Sequence, residues 1–485
     1  MKKKTKILAT VGPASDNIEI LEGLINAGVN VFRLNFSHGS QEYHYKILKH
    51  IRQAEDNLHK KVGILQDICG PKIRVGELAG SFDLKENDRL IFVKKRIKGE
   101  KIDNGSYRLS INQPKVLDML KVDEYIYLCD GNIKAKVIRI GDEVEAIVEN
   151  DGVLSSQKGV NFPNTILNLE IITPKDEKDL KWGAKYGVDF VAISFVQSEK
   201  DIKKVKKLLD KFKSTAQIIA KIEKFDAVEN IDKIIKVSDG VMVARGDLGI
   251  EVPYYKVPSI QKRIIRKANA ASKPVITATQ MLLSMTEKEV ATRAEISDVA
   301  NAVLDGTDVV MLSEESAIGR YPVNVVEVMS NTIVETEKVY PYNKFGRYKF
   351  LDDTDVISSA TAMLATDLNV KALISLTSSG KSAKKIARYR TDKPIYAITH
   401  NEKIARSLTL VWGVEPVMDI EEESLNIMLA KILNKAVKEK IIDLDSSYIV
   451  TAGYPTGVPG SMNFIRILKK EQILHYINST CEEKN

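Results

Sequence analysis

Between residues 6 and 313 the chain alternates short apolar runs with longer stretches in which apolar residues recur every three or four positions. Short apolar runs bounded by Gly, Pro or charge read as strands buried on both faces, and the 3.6-residue recurrence reads as amphipathic helix. The pattern predicts eight strands, over 6–12, 31–37, 62–68, 190–196, 217–223, 240–248, 274–281 and 308–313. Strands that alternate with helices pair in parallel, and eight of them close a barrel. The expected fold class is therefore α/β, a (β/α)8 TIM barrel.

Two regions depart from that rhythm. Between the third and fourth runs, Leu90–Val93, Tyr125–Leu128 and Lys134–Ile138 alternate apolar and polar residues and are separated by Gly and Asp, the pattern of a small all-β domain. An insert over 71–162 leaves the end of the third strand, where a lid over a barrel mouth would be rooted. After Pro341 a second α/β pattern begins, with a helix near 355–368 and strands at 371–376 and 394–399. The expected division is a barrel over 1–70 and 163–342, a β lid over 71–162, and a C-terminal α/β regulatory domain over 343–485.

Composition narrows the function classes. Hydrophobic residues make up 44% and charged residues 28% of 485 positions, the balance of an ordinary globular protein rather than a disordered one. The net charge of +7 comes from 72 basic residues set against 65 acidic ones. Its densest basic stretch, 200–213, carries Ile202, Val205, Leu208 and Leu209 at helical spacing, so its lysines read as a solvated helix face rather than a nucleic-acid site. Cys69, Cys129 and Cys481 form no C-x-x-C pair, which argues against a disulfide framework or a zinc site and for a reducing, cytoplasmic setting. No apolar stretch reaches membrane-spanning length, and no membrane partner is expected.

In a parallel barrel the chemistry sits where the strands end. The predicted ends are polar: Arg33, Asn35, Ser37 and His38 on the second, Asp67 on the third, and Lys221 with Glu223 on the fifth. Arg245 with Asp247 ends the sixth, Thr279 with Gln280 the seventh, and Ser313 followed by Glu315 the eighth. Alternate strand positions share a face, so Lys221 with Glu223, and Arg245 with Asp247, are expected to aim at one mouth. Two carboxylates ringed by Arg33, Lys221 and Arg245 suit a partly hydrated Mg²⁺ or Mn²⁺ completed by the oxygens of an anionic substrate. His38, ahead of Gly39 and Ser40, reads on its own as a loop-fixing side chain.

The segments Thr10–Ala14, Val31–Gly39, Asp67–Arg74, Ala220–Glu223, Met242–Gly249, Ala278–Leu282 and Asp298–Asp308, taken in order, resemble the motifs of the pyruvate kinase family. The resemblance covers residues 5 to 467 and implies transfer of the phosphoryl group of phosphoenolpyruvate to ADP, giving pyruvate and ATP, the last step of glycolysis. It further implies that Glu223 and Asp247 hold the divalent ion and that Lys221 neutralises the phosphoryl group in transit. Arg33 and Arg74 would contact phosphate oxygens, and Arg245, Gly246, Asp247 and Thr279 would contact the substrate, with Thr279 and Ser313 near the enolate carbon. The nucleotide would meet Asn35, His38, Arg74 and Lys158 under a lid that includes Asp130. A homotetramer is the family's usual state. The family's usual Ser-Gly-Glu-Thr is here Ser313-Glu314-Glu315-Ser316, which adds a carboxylate beside the site.

Two further expectations concern ions and regulation. Asn35, Ser37, Asp67 and the carbonyl of Ile68 match the family's K⁺ ligands, but Lys72 stands where K⁺-dependent members carry an acid, and its ammonium is expected to replace the ion. In the C-terminal region, Thr377, Ser378, Ser379, Gly380, Lys381 and Ser382 gather hydroxyls, amides and a helix start, a phosphate-favouring combination that resembles the family's effector loop, with 454–460 facing it. A phosphorylated effector is expected there. The rival readings are another barrel enzyme that forms a metal enolate, such as a carbon–carbon lyase, and a basic binding protein without catalysis.

Overall fold

The computed structural model describes residues 2–163, 165–167, 169–344, 348–419, 423–454 and 462–482. Eight parallel strands, β1 (Lys6–Thr10), β2 (Val31–Asn35), β3 (Gly63–Asp67), β4 (Phe190–Ile193), β5 (Gln217–Ile222), β6 (Gly240–Ala244), β7 (Val275–Ala278) and β8 (Val309–Leu312), close into a barrel through the pairing of β8 with β1. Their inward side chains, among them Leu8, Leu65, Phe190, Ile219, Met242, Ile276 and Met311, form one dry cluster. Leu410, from the C-terminal part of the chain, belongs to that cluster and plugs the barrel floor. The interior is thus a packed core, and only the mouth is free for chemistry.

Helices α1 (Ile18–Ala27), α2 (Gln41–Leu58) and α3 (Pro174–Tyr186) pack on the outside of the early strands. A reciprocal cap between Thr173 and Asp176 starts α3, and Asp176 also accepts a hydrogen bond from the Gly70 amide at 3.1 Å. The same carboxylate therefore fixes a helix start and the backbone at the root of the insert.

The strand predicted over 240–248 is shorter than its pattern. β6 pairs with β7 only as far as Ala244 opposite Ala278. Beyond that point β7 turns away through Thr279 and Gln280, both at positive φ. With no ladder partner left, Arg245–Glu251 coils into a helix, α4, that buries Leu248 and Glu251. Arg245 and Asp247 therefore do not share a strand face: two apart on a helix, they point in different directions.

Between β3 and α3 lie two antiparallel-rich sheets. The larger runs in the order 160–161, 125–128, 133–140, 143–148, 89–93, 106–110 and 100–103, and the smaller pairs 152–154 with 82–84. They close over their own core, which includes Leu90, Phe92, Ile126, Val137, Val144 and Phe162.

On the far side, α5 (Pro322–Glu337) completes the barrel shell and α6 (Asp353–Asp367) opens a separate C-terminal α/β domain. Its sheet has the order β11-β10-β9-β12-β13, with β9 (Ala372–Leu376), β10 (Ile395–Thr399), β11 (Val414–Asp419) and β12 (Tyr448–Gly453) parallel and β13 (Met462–Leu468) antiparallel. Helices α7 (Lys381–Ala387) and α8 (Leu425–Lys438) flank it.

The junction beneath the barrel is polar as well as plugged. Arg390, 1% exposed, donates to Asp308 at 3.0 Å, Asn269 at 2.6 Å and the Gly306 carbonyl at 2.7 Å, and its guanidinium lies 4.8 Å from the Trp412 ring. Replacing it leaves Asp308 buried without its cation. Arg390→Met is expected to lower stability by about 3–5 kcal/mol in urea unfolding followed by Trp412 fluorescence. A loss under about 1 kcal/mol would show that the junction does not depend on this charge pair.

Candidate active site

The mouth is built around an alternating row of charges. Asp67, at the end of β3 and 2% exposed, accepts from Arg33 Nε of β2 at 2.7 Å and from Lys221 Nζ of β5 at 3.3 Å. Lys221 Nζ lies 3.5 Å from Glu223 Oε2 and donates to Ser194 Oγ at 2.8 Å. Ser194 in turn donates to the Ile68 carbonyl at 2.8 Å, and Arg33 reaches Thr10 Oγ1 of β1 at 3.1 Å. Burial works against the charge on Lys221, but the carboxylates of Asp67 and Glu223 outweigh it and hold its pKa above the ordinary lysine value.

Glu223 is the unfinished member. Its Oε1 accepts the Phe195 amide at 2.6 Å, while its Oε2, fully buried, has no hydrogen-bond partner. Burial pushes its pKa up to about 7 against the pull of Lys221, and the nearby charge of Asp247 pushes the same way. A buried oxygen without a donor, close to a second carboxylate, is a place where a cation would relieve both the desolvation and the repulsion. Among the described residues no cluster of three or more His, Cys, Asp or Glu forms a closed metal cage. Two carboxylates fit Mg²⁺ or Mn²⁺, which keep waters and take substrate oxygens.

Gly246 and Asp247 lie in the first turn of α4, where backbone amides lack helical partners. The Gly246 amide donates to Thr279 Oγ1 at 2.8 Å, and Thr279 Oγ1 donates to the Ala278 carbonyl at 2.7 Å. Just past β8, Ser313 Oγ is buried without a hydrogen-bond partner, while Glu315 is pinned by the Ser313 amide at 2.7 Å and the Leu282 amide at 3.2 Å. Glu314 is exposed, so the added carboxylate of this segment faces solvent.

Not every expected residue joins the row. The guanidinium of Arg245 is taken up by Asp298 at 2.7 Å and by the Thr279 carbonyl at 2.7 Å, so Arg33 and Lys221 are the cations beside the carboxylates. Arg74 reaches back into the insert, to the Gln157 carbonyl at 2.9 Å. Lys158 and His38 are exposed, and the His38 carbonyl pairs with His44 Nε2 at 2.9 Å, which fixes the loop. Asn35 Oδ1 accepts the Ser37 amide at 3.2 Å. Lys72 Nζ lies 3.8 Å from Asp130 Oδ1 of the insert, and Lys72 and Asp247 line one cleft between insert and barrel.

Sequence reading left β1 and β4 without a site residue, yet Thr10 and Ser194 tie the row together. Ser194 follows a fully apolar strand, and its position directly after Ile193 was the available signal.

In the C-terminal domain, Thr377 Oγ1 accepts the Gly380 amide at 2.9 Å and buried Ser382 Oγ meets Ser375 Oγ at 3.1 Å, so both hydroxyls are used internally. Ser378, Ser379 and Lys381 are exposed, with Lys381 Nζ 3.6 Å from Asp352. Residues 455–460 of the expected facing loop lie outside the described residues.

The profile described as "Pyruvate kinase, barrel domain" matches residues 2–326, and that described as "Pyruvate kinase, alpha/beta domain" matches 355–468. The chain belongs to the pyruvate kinase family. Pyruvate kinases of Staphylococcus epidermidis and Staphylococcus aureus are each 41% identical to it, over 96% of this chain and 80% of theirs. The crystal structure of a pyruvate kinase from Cryptosporidium parvum superposes with a TM-score of 0.89 at 35% identity, over 96% of each chain. A pyruvate kinase moves the phosphoryl group of phosphoenolpyruvate to ADP, giving pyruvate and ATP, and that is the reaction of this chain; the family's chemistry uses a divalent metal ion. The lyase and non-enzymatic readings fall with this membership. No helix among the described residues is long and apolar enough to cross a membrane.

Proposed function

We propose that this pyruvate kinase carries out phosphoryl transfer on the charge row of β2, β3 and β5, with Glu223 and Asp247 as the protein ligands of Mg²⁺ or Mn²⁺. The observation that carries the reading is the buried, unpartnered Oε2 of Glu223 beside the Lys221 ammonium. When bound there, the ion would supply Lewis-acid polarisation of substrate oxygens. Lys221, held by Asp67 and Ser194, meets the charge that spreads over the phosphoryl oxygens in flight, and Arg33 orients the phosphate from the β2 side. The Gly246 and Asp247 amides of α4 and the Thr279 hydroxyl receive the substrate carboxylate, the Gly246 amide and that hydroxyl exchanging their bonds to Thr279 Oγ1 and the Ala278 carbonyl for it. After in-line transfer to the ADP β-phosphate, the enolate of pyruvate is left near Thr279 and Ser313, where a proton reaches its carbon.

The insert over 71–162 acts in this reading as a lid that pivots at Gly70. That residue has φ +67, and a Cβ there would lie 2.8 Å from the Phe195 ring, so glycine meets both demands of the hinge. Closure brings Arg74, Lys158 and Asp130 over the nucleotide, with Asn35 and His38 below it. The exposed Ser378, Ser379 and Lys381 offer a phosphate-binding edge for an allosteric effector. A homotetramer, the family's usual state, and a cytoplasmic setting go with the glycolytic role.

Lys72 replaces K⁺ in this proposal. Asp67, one of the matched ligands, is already engaged by Arg33 and Lys221, and the Ile68 carbonyl by Ser194. Lid closure moves the ammonium from Asp130 toward the mouth, where it supplies positive charge.

Two outcomes test these roles. Lys221→Met is expected to lose a factor of about 10² or more in turnover, while added pyruvate still exchanges its methyl protons; a variant that keeps more than about a tenth of wild-type turnover contradicts the role of Lys221. Turnover in K⁺ and in a tetraalkylammonium salt of equal ionic strength is expected to agree, and Lys72→Glu to create a K⁺ requirement. A wild-type loss of about tenfold without K⁺, about 1.4 kcal/mol of transition-state stabilisation, would overturn it.

A further inference from the structure

Where the barrel ends, the two segments that carry Glu223 and Asp247 lose their backbone pairing. The parallel ladder of β5 and β6 stops at Ile222 opposite Val243. Beyond it Glu223 and Lys224 lead into a short helix, Phe225–Glu229, and β6 runs into α4. Among the described residues no backbone hydrogen bond joins 223–229 to 245–251. The separation of the two carboxylates is therefore set by side chains and packing, and an ion that takes both needs it held to about 0.5 Å.

One ion pair bridges the gap. Lys224 Nζ lies 3.2 Å from Glu251 Oε2, and both side chains are buried, 5% and 4% exposed. The other oxygen of Glu251 faces Asn161 Nδ2 of the insert at 3.5 Å, so both ends of the carboxylate are engaged. Lys224 follows Glu223 directly, and Glu251 stands four residues after Asp247, one turn along the same face of α4. The pair thus joins the same two segments one turn away from Glu223 and Asp247. The start of α4 is tied to β7 by the Gly246 amide on Thr279, and its middle is buried through Leu248. Glu251 fixes its end.

Stability is a poor reason for such a pair, because apolar side chains of the same volume commonly hold a buried position as well as two desolvated charges do. Its field is a poor reason too, since the charges that act most on Glu223 are those of Lys221, Asp247 and Asp67. What the pair offers is a single fixed geometry between two segments that otherwise have none.

We propose that Lys224 and Glu251 are positioning residues for phosphoryl transfer: their buried ion pair holds α4 against the end of β5, so that Asp247 and Glu223 keep the spacing a divalent ion requires. This rests on the reading above that these two carboxylates hold the ion.

Mn²⁺ binding to the substrate-free full chain, read by water-proton relaxation, tests it in the wild type, Glu251→Gln, Glu251→Leu and the double variant Lys224→Met/Glu251→Leu, with Glu223→Gln for reference. The double variant removes the tether without changing the net charge. It is expected to unfold in urea near the wild-type midpoint and to bind Mn²⁺ at least about tenfold more weakly. The two single variants remove the same charge, but glutamine leaves an oxygen for Lys224, so Glu251→Gln is expected to bind Mn²⁺ more tightly than Glu251→Leu. The proposal is overturned if the double variant stays within about twofold of the wild type while Glu223→Gln binds weakly. It is also overturned if Glu251→Gln and Glu251→Leu bind equally, which would make charge rather than position the cause. Wild-type affinity in Glu223→Gln would overturn the metal reading itself, and the proposal with it.

Discussion

Everything at the mouth follows from the need to bury carboxylates at the ends of barrel strands without leaving them unneutralised. Asp67 meets that need within the protein, between Arg33 and Lys221. Glu223 meets it by half, through one backbone amide and the Lys221 ammonium 3.5 Å away, and keeps an oxygen with no hydrogen bond. Because a buried ion is tolerated only when paired, the row of two cations and two carboxylates is stable as a scaffold, and the Asp247 carboxylate near Glu223 leaves one negative charge over. On the reading proposed above, the divalent ion that the family uses would supply the compensating positive charge, so the electrostatics that hold the strand ends together would also prepare them for it.

The barrel makes that arrangement rigid. Parallel pairing sets Asn35 of β2 beside Asp67 of β3, Asp67 beside Ala192 of β4, and Ala192 beside Ile219 of β5, two residues before Lys221, so the functional side chains gather at one end of the barrel. Below them the interior is dry and sealed by Leu410, and the buried Arg390 pairs across the junction to Asp308.

Much of this was legible in the sequence because buried parallel strands write themselves as uninterrupted apolar runs, and all eight barrel strands lie inside the predicted runs. Lys221 and Glu223 could be paired by strand alternation because Lys221 is in β5 and Glu223 follows it directly. The same rule failed at Arg245 and Asp247, since the end of a strand depends on where its neighbour stops, a tertiary fact that no local pattern carries. Ser194 was missed because a single hydroxyl after an apolar run looks like a strand end, and its importance lies in the Lys221 ammonium from another strand. The Ser382 hydroxyl turns inward to Ser375 because the first turn of α7 packs on β9, which composition cannot show.

The most direct test of the account is Mn²⁺ binding to the substrate-free protein, read by water-proton relaxation in the wild type, Glu223→Gln and Asp247→Asn. An amide oxygen is a weaker ligand for a hard cation, so each variant is predicted to bind about tenfold or more weakly than the wild type. Equal affinity in all three proteins would move the ion away from these carboxylates and contradict the account.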